Sequence, residues 1–557
     1  MSTSSTKRGD KKASPKNRGG QGKYSRFETG TAVAADIPEK AWRIGVIAIF
    51  LIAAVLRLYD LNLVPLHHDE GVNGNFLVRL VREGAYTYDP GNYHGPTLYY
   101  FAAIIPWITK VLFGNTARDN YGLTTFTIRL VPVLFGLATI GLIFLLRRRL
   151  GTVTVLAAGL MLAVSPGAVY LSRYFIHETL FVFFTLGIVV SIVRFYDERN
   201  AAYLIPAAAS AALLFATKET AMISVAVLVI AFAVMWVYMR VTGGSAKEAS
   251  ISERVSLVID EMGGRASLVI NILIALTVFV ALYLLFYSSF FTNYKGINDS
   301  LQTFAIWKKT GNEAHVHSAE QYLIWLVKQE SPLLFFGALG AAITVLRPKN
   351  SLALFCALWS FGLIAAYSLI PYKTPWLVLN FIVPLALIAG YTIQAIYEMF
   401  GHVIGATLVG WLLVGMISLA ALSVAGYQTI DLNFFNYDND SEYYVYVYAH
   451  TKRHTIDLVN EVERIAKENS GNTTGITIVS PDYWPLPWYF RNFTRVGYYG
   501  RMAASTEPVI IANANQKDEV DTNFGQLYQQ VPGPDPGGTF ELRPGVNLIL
   551  YQRRRGL

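Results

Sequence analysis

Long apolar runs, each bounded by charged or aromatic residues, recur from Trp42 to Tyr427. A hydrocarbon core of about 30 Å takes roughly 20 apolar residues in helical form. The pattern predicts eleven spans, at 42–58, 124–146, 152–172, 177–195, 201–217, 219–239, 267–288, 331–346, 351–371, 375–396 and 402–425. The ten-residue alternation of a membrane barrel is absent. A further run, 97–113, is short, contains Pro106 and Lys110, and is rich in the aromatics that suit an interface. After Tyr427 the pattern changes. Ile456, Val459, Val462 and Ile465 recur at helical spacing within 453–469, and short apolar runs at 476–479, 509–511 and 546–551 lie between Gly, Pro and Asn. These features predict a small α/β domain.

Charge sets the direction of the spans. If 97–113 does not cross, the clusters Arg147-Arg148-Arg149, Arg194 with Arg199, Arg240 through Arg265, and Arg347 with Lys349 all fall on the side of the N terminus. If it crosses, they fall on the other side. Basic loops favour the cytoplasm, so 97–113 is expected to be a juxtamembrane helix on the outer face. The expected organisation is a disordered basic cytoplasmic tail at 1–41, a membrane domain at 42–427 and an extracytoplasmic α/β domain at 428–557. The membrane domain carries outer loops at 59–123 and 289–330. This describes a multi-pass protein of the plasma membrane.

Composition agrees: of 557 residues, 53% are hydrophobic and 15% charged. The net charge of +8 does not point to nucleic acid, because ten of the Lys and Arg residues lie in the first 43 positions, where they serve as a topology signal. That tail is also suited to anionic lipid. The hydrophilic stretch before Trp42 is too long for an ordinary leader, so the first span is expected to be a permanent anchor. Cys356, the single cysteine, sits in a span and forms no intrachain disulfide. Asn-x-Ser/Thr triplets begin at Asn298, Asn439, Asn472 and Asn492, all in outer segments.

Ionisable residues gather at the ends of the spans on this outer face. Asp69-Glu70 follows the first span by about ten residues, crowded by His67, His68, Gly71 and Gly74. They are either solvated loop acids or a folded-back site. His94-Gly95-Pro96-Thr97-Leu98-Tyr99-Tyr100 precedes the 97–113 run, where Pro has a structural explanation at a helix start. Ser172-Arg173 and His177-Glu178 join two spans. Arg173 could snorkel, whereas a carboxylate opening an apolar span needs a partner or a solvated cavity. Lys218-Glu219 forms a tight hairpin between spans, and Lys373, within Tyr372-Lys373-Thr374-Pro375-Trp376, is a second lysine of this kind. A lysine so placed either neutralises its neighbour or holds a phosphate as a point charge. His315 and His317 could share a metal only if that stretch is extended. Otherwise His317, or Glu330, would help shape an acceptor site.

In this order, the residues resemble the polyprenyl-phosphate-dependent C-type glycosyltransferases, the superfamily of protein O-mannosyltransferases and aminoarabinose transferases. The chain is most similar to a branch described as flippase-activity-associated. The resemblance covers roughly 42–400, and Trp484-Pro485-Leu486-Pro487-Trp488-Tyr489 resembles that branch in particular. Asp69-Glu70 matches an acidic first outer loop, His94 to Tyr100 a Pro-containing segment ending in Leu-Tyr-Tyr, Ser172, Arg173 and Glu178 a Ser-Arg-acid pattern, and Lys218 a Thr-Lys hairpin. His94-Gly95-Pro96 departs from a common Lys-Pro-Pro, and Glu178 replaces an aspartate.

The resemblance implies inverting transfer of a sugar from a lipid-phosphate donor to an acceptor hydroxyl on a glycan, protein or lipid. Asp69 would then be the base, with Glu70 and Glu178 orienting hydroxyls. Arg173, Lys218 and Lys373 would stabilise the departing phosphate. His68, His94, Tyr99, His177, Glu219 and His317 would contact substrate. A lipid phosphate monoester leaving group does not demand a divalent metal, and no cofactor is expected. Two other readings remain: binding or flipping of lipid-linked sugar without transfer, and a receptor whose tail binds glycan.

Overall fold

The computed structural model describes residues 37–84, 86–91, 94–114, 122–242, 256, 259–313, 315–403 and 407–554. Nearly all of the expected basic tail lies outside them. Among the described residues, seven helices are long and apolar enough to cross a membrane: Glu39–Leu58, Thr125–Phe144, Glu178–Glu198, Ala221–Thr242, Gly264–Tyr287, Ser351–Leu369 and Pro375–Met399. Two bent pairs raise the number to nine if each is one span. These are Thr152–Val164 with Pro166–Ser172, bent by 61°, and Gln321–Gln329 with Ser331–Leu346, bent by 115°. The two remaining expected spans correspond to the shorter apolar stretch Ala201–Phe215 and to the helix Thr407–Ile430. The Thr97–Phe113 helix has the bounds expected for the juxtamembrane run.

Local chemistry explains the breaks. Pro166 has no N–H to donate, and Ser165 caps the restarted helix by accepting from Ala168 N at 3.2 Å. The carbonyls of Leu162 and Ala163, orphaned by the break, are taken by Arg57 Nη2 at 3.0 Å and Nη1 at 2.9 Å. The Pro375–Met399 span is buried over most of its length and forms the centre of the bundle, against Thr152–Val164, Ser331–Leu346 and Ser351–Leu369.

Three helices lie where loops were expected: His68–Glu83, Lys295–Glu313 and Gln321–Gln329. The first carries Asp69. Beyond the bundle, His454–Glu468 packs its Leu458, Val459, Val462 and Ile465 on a six-stranded sheet. The strands are β1 (Ile476–Ile478), β2 (Val496–Tyr498), β3 (Val509–Asn513), β4 (Tyr528–Val531), β5 (Phe540–Arg543) and β6 (Val546–Arg553). Their order is β2-β1-β3-β6-β4, with β5 also on β6. β1 is parallel to β2 and β3, and the pairs with β6 are antiparallel.

This sheet domain docks on the Asp69 helix. A Cβ on Gly71 would lie 2.6 Å from Pro485 Cβ, and one on Gly74 2.6 Å from Trp488 Cε3. Only glycine admits so close an approach. Trp488 is buried in one cluster with Leu77 and Leu80 of that helix and with Leu123. Tyr489 OH accepts from Leu66 N at 2.8 Å, and Arg82 Nη2 donates to Asn492 Oδ1 at 2.6 Å. The side chain of that sequon asparagine is thus engaged within the protein.

Candidate active site

His67 opens the His68–Glu83 helix as its N-cap. Its Nδ1 accepts from Asp69 N at 3.0 Å, and Glu70 Oε2 accepts from His67 N at 3.0 Å. This is a capping box with histidine in the place usually held by Ser or Thr. With 3.6 residues per turn, neighbouring side chains on a helix diverge by about 100°. Asp69 and Glu70 therefore part company.

Glu70 is fully buried. Its Oε1 accepts from Arg129 Nε and Phe175 N, both at 2.8 Å, and its Oε2 from Arg129 Nη2 at 2.7 Å as well as from His67 N. Four hydrogen bonds fill a carboxylate. The expectation that Glu70 would orient a hydroxyl is corrected accordingly, since it ties the helix start to the bundle through Arg129. Asp69 differs. Its side chain is 42% exposed, and its Oδ2 lies 3.8 Å from His67 Nδ1.

A second cluster forms where the His94 segment meets the 216–218 hairpin. Gly95 N donates to Thr217 O at 3.0 Å and Thr97 N to Ala216 O at 3.2 Å, with His94 and Lys218 opposed as an antiparallel bridge. A Cβ on Gly95 would lie 2.0 Å from Ala216 O, so this pairing requires glycine there. Lys218 Nζ donates to Glu178 Oε1 at 2.5 Å, and His94 Nδ1 lies 3.2 Å from Glu219 Oε2. Burial works to lower the Lys218 pKa, but the Glu178 and Glu219 carboxylates more than reverse it and the ammonium is held above its usual range. His177 is pushed well below its usual value by burial, then by His94 and Lys218. Its Nε2 faces Gly95 O at 3.0 Å, so the neutral ring donates there. A small pocket lies against this cluster, lined by His94, Lys218, Glu219, Thr220, Tyr367 and Tyr372 among others.

Other candidates sit elsewhere. The Arg173 guanidinium, expected at the phosphate, instead caps the first span. Its Nη1 donates to Tyr59 O at 2.6 Å and its Nη2 to Asp60 O at 2.8 Å, and it stacks 4.8 Å from the Phe434 ring. Tyr99, expected to contact substrate, is fully buried with its hydroxyl donating to Asn73 Oδ1 at 3.0 Å. Lys373 Nζ donates to Ile370 O at 2.6 Å and more weakly to His317 O at 3.4 Å. The 315–317 stretch is bridged to Tyr372 through Val316, with His315 at a left-handed φ of 48°. Its two imidazoles diverge, His315 Nδ1 to Tyr448 OH at 2.8 Å and the His317 ring to Trp325 at 5.7 Å, so the pair does not converge on a metal. Among the described residues, no group of three or more His, Cys, Asp or Glu side chains could hold a metal ion. Glu330 lies deeper, its Oε1 accepting from Ser165 Oγ and Gly167 N, both at 2.8 Å.

A continuous aromatic rim joins the two clusters. The His67 ring meets Trp376, Trp376 meets Tyr448, Tyr448 meets His315, and His315 meets Tyr372, which lines the pocket. Tyr174, buried between them, has its hydroxyl pKa raised well above the usual value. Burial is the main cause, followed by the charges of Asp69, Glu70 and Glu178. The carboxylates of the two clusters thus act on one phenol. Asn73, Arg129, Tyr174, Trp376 and Tyr448 were not singled out from sequence as site-building residues, and His67 was named there only as crowding the acidic pair. Two of them left a signal: the His67-x-x-Glu70 spacing resembles a capping box, and an arginine at the head of an apolar span needs a partner.

The comparisons agree with this architecture. The family model described as dolichyl-phosphate-mannose-protein mannosyltransferase matches residues 100–247. The crystal structure of ArnT from Cupriavidus metallidurans bound to undecaprenyl phosphate is similar with a TM-score of 0.57 at 13% identity, covering 92% of this chain and 98% of that one. The archaeal oligosaccharyltransferase AglB from Archaeoglobus fulgidus, in complex with an inhibitory peptide and a dolichol-phosphate, is similar with a TM-score of 0.53 at 13% identity, over 86% of this chain and 70% of that one. No curated protein sequence matches. The chain thus shares the fold of these two solved structures, and the family-model match spans part of it.

Proposed function

We propose that this protein is a membrane glycosyltransferase that moves a sugar from a polyprenyl-phosphate donor to an acceptor hydroxyl at the outer membrane face, with inversion. The supporting observation is the contrast within one dipeptide. Glu70 is saturated by protein partners, while Asp69 is left half-exposed at a helix start beside a rim that leads to a buried lysine. The Asp69 carboxylate accepts the proton of the acceptor hydroxyl as its oxygen bonds to the anomeric carbon. The bond from that carbon to the phosphate oxygen breaks, and its electron pair leaves with the lipid phosphate.

Lys218 stabilises the charge that develops on this phosphate, with Glu178 fixing the ammonium in place. Lys373 offers a second cation at the rim, and His94, His177 and Glu219 face the donor sugar. Arg173 and Glu70 act through the scaffold. In this reading the N terminus is cytoplasmic and the sheet domain lies outside.

The test is transfer from a polyprenyl-phosphate sugar by the purified, reconstituted protein. Asp69→Asn is expected to abolish transfer while donor binding stays within about twofold. Unchanged turnover would remove the base assignment. Donor binding by the intact protein without turnover on any acceptor would favour handling of lipid-linked sugar without transfer.

A further inference from the structure

The segment that docks the tail also presents a row of rings that the chemistry above does not use. The His68 ring lies 6.1 Å from Trp484, Trp484 lies 5.8 Å from Tyr483, and Tyr483 lies 5.2 Å from Tyr498. The row begins one residue before Asp69 and runs outward to the end of β2, an edge strand of the sheet. Tyr483 and Trp484 are half-buried, and Tyr498 is 36% exposed. Beside them the Arg543 guanidinium is paired with Asp482, and both charges reach His68. The backing is firm, because Pro485 and Trp488 are set against Gly71 and Gly74.

Rings in a file with a charged fork alongside have a defined chemistry. An aromatic face is electron-rich, and the C–H-bearing face of a pyranose carries the complementary partial charge. The sugar's hydroxyls would meanwhile find a carboxylate and a guanidinium within the same surface. A purely apolar partner would leave Arg543 and Asp482 to be desolvated without compensation. An extended peptide would add to the free edge of β2, which is only three residues long, and short edges disfavour strand addition.

We propose that His68, Trp484, Tyr483 and Tyr498 form a glycan subsite, which holds the non-reacting sugars of a saccharide acceptor and leads its terminal hydroxyl to Asp69. This rests on the glycosyltransferase reading and adds the class of acceptor.

The experiment measures binding of free chitotriose, mannotriose and a hexuronate trisaccharide to the full-length protein in nanodiscs without donor. Tryptophan emission and saturation-transfer NMR report it. At least one trisaccharide is expected to bind. Tyr498→Ala and Tyr483→Leu, each checked for an unchanged melting midpoint, are expected to weaken that binding about tenfold, the worth of roughly one ring contact. Binding of none of the three overturns the subsite, as does binding indifferent to both variants or preferential binding of a serine- and threonine-containing peptide at these rings. Turnover with a short-chain alcohol as acceptor reads the parent proposal separately. Intact alcohol turnover without trisaccharide binding defeats the subsite alone.

Discussion

At the scale of single residues, adjacent carboxylates have opposite tasks because a helix turns between them. From sequence, Asp69 and Glu70 read as one acidic pair in the first outer loop, either solvated or folded back as a site, whereas in the structure they open the helix His68–Glu83. On that helix Glu70 meets Arg129, while Asp69 stays partly exposed beside His67. Removing one member of a buried ion pair leaves an uncompensated charge, at a cost of about 3–5 kcal/mol. Glu70→Ala and Arg129→Ala are therefore each expected to lower the melting midpoint sharply, with the double variant costing much less than their sum. Additive losses in a thermal double-mutant cycle would mean that the two groups do not act as a pair. For Arg173, position at a span end is legible in the sequence, but the carbonyls of Tyr59 and Asp60 that take its donors lie just past the end of the first span, more than 100 residues away in the chain.

At the scale of elements, two contacts decide where the site residues stand. The first is the close approach of Trp484–Tyr489 to the Asp69 helix across Gly71 and Gly74. Gly74→Ala puts a methyl group into the Trp488 ring, and overpacking of this kind costs about 1–3 kcal/mol. Faster hydrogen exchange across His68–Glu83 is expected in that variant, and unchanged protection would show that the docking is loose. The second is the Lys218–Glu178 pair at the hairpin. Burial opposes the charge, but Glu178 and Glu219 outweigh it and raise the folded pKa of Lys218 above 10.5. A proton held more tightly in the folded state stabilises it fully below the unfolded pKa, and that contribution is lost only as pH rises through the higher folded value. The gap in melting midpoint between wild type and Lys218→Met is thus expected to stay constant from about pH 7 to 9. A gap that closes within that window would contradict the pairing. The spans, the 97–113 helix, the His454–Glu468 helix and strands β1, β3 and β6 were legible because apolar runs announce them. Strands β2, β4 and β5 were not, since each is short and only partly apolar.

At the scale of the whole molecule, the fold is a membrane bundle whose broken spans, tight hairpins and docked sheet domain bring distant segments to one end. The sequence could name Asp69, Lys218 and Lys373 but could not reveal the rim beside them, which depends on Val316 pairing with Tyr372 and on Tyr448 arriving from the segment that leads to the tail. If that end is extracytoplasmic, single cysteines at Asn472 and Leu527 in a Cys356→Ser background should label with an impermeant maleimide from outside intact cells. Labelling only after permeabilisation would reverse the orientation. The most direct test of the account is sugar transfer from a polyprenyl-phosphate donor by the reconstituted protein, comparing wild type with Asp69→Asn. The account predicts a fall in turnover of about 10²-fold or more, with donor affinity preserved. Equal turnover in the two proteins would contradict it.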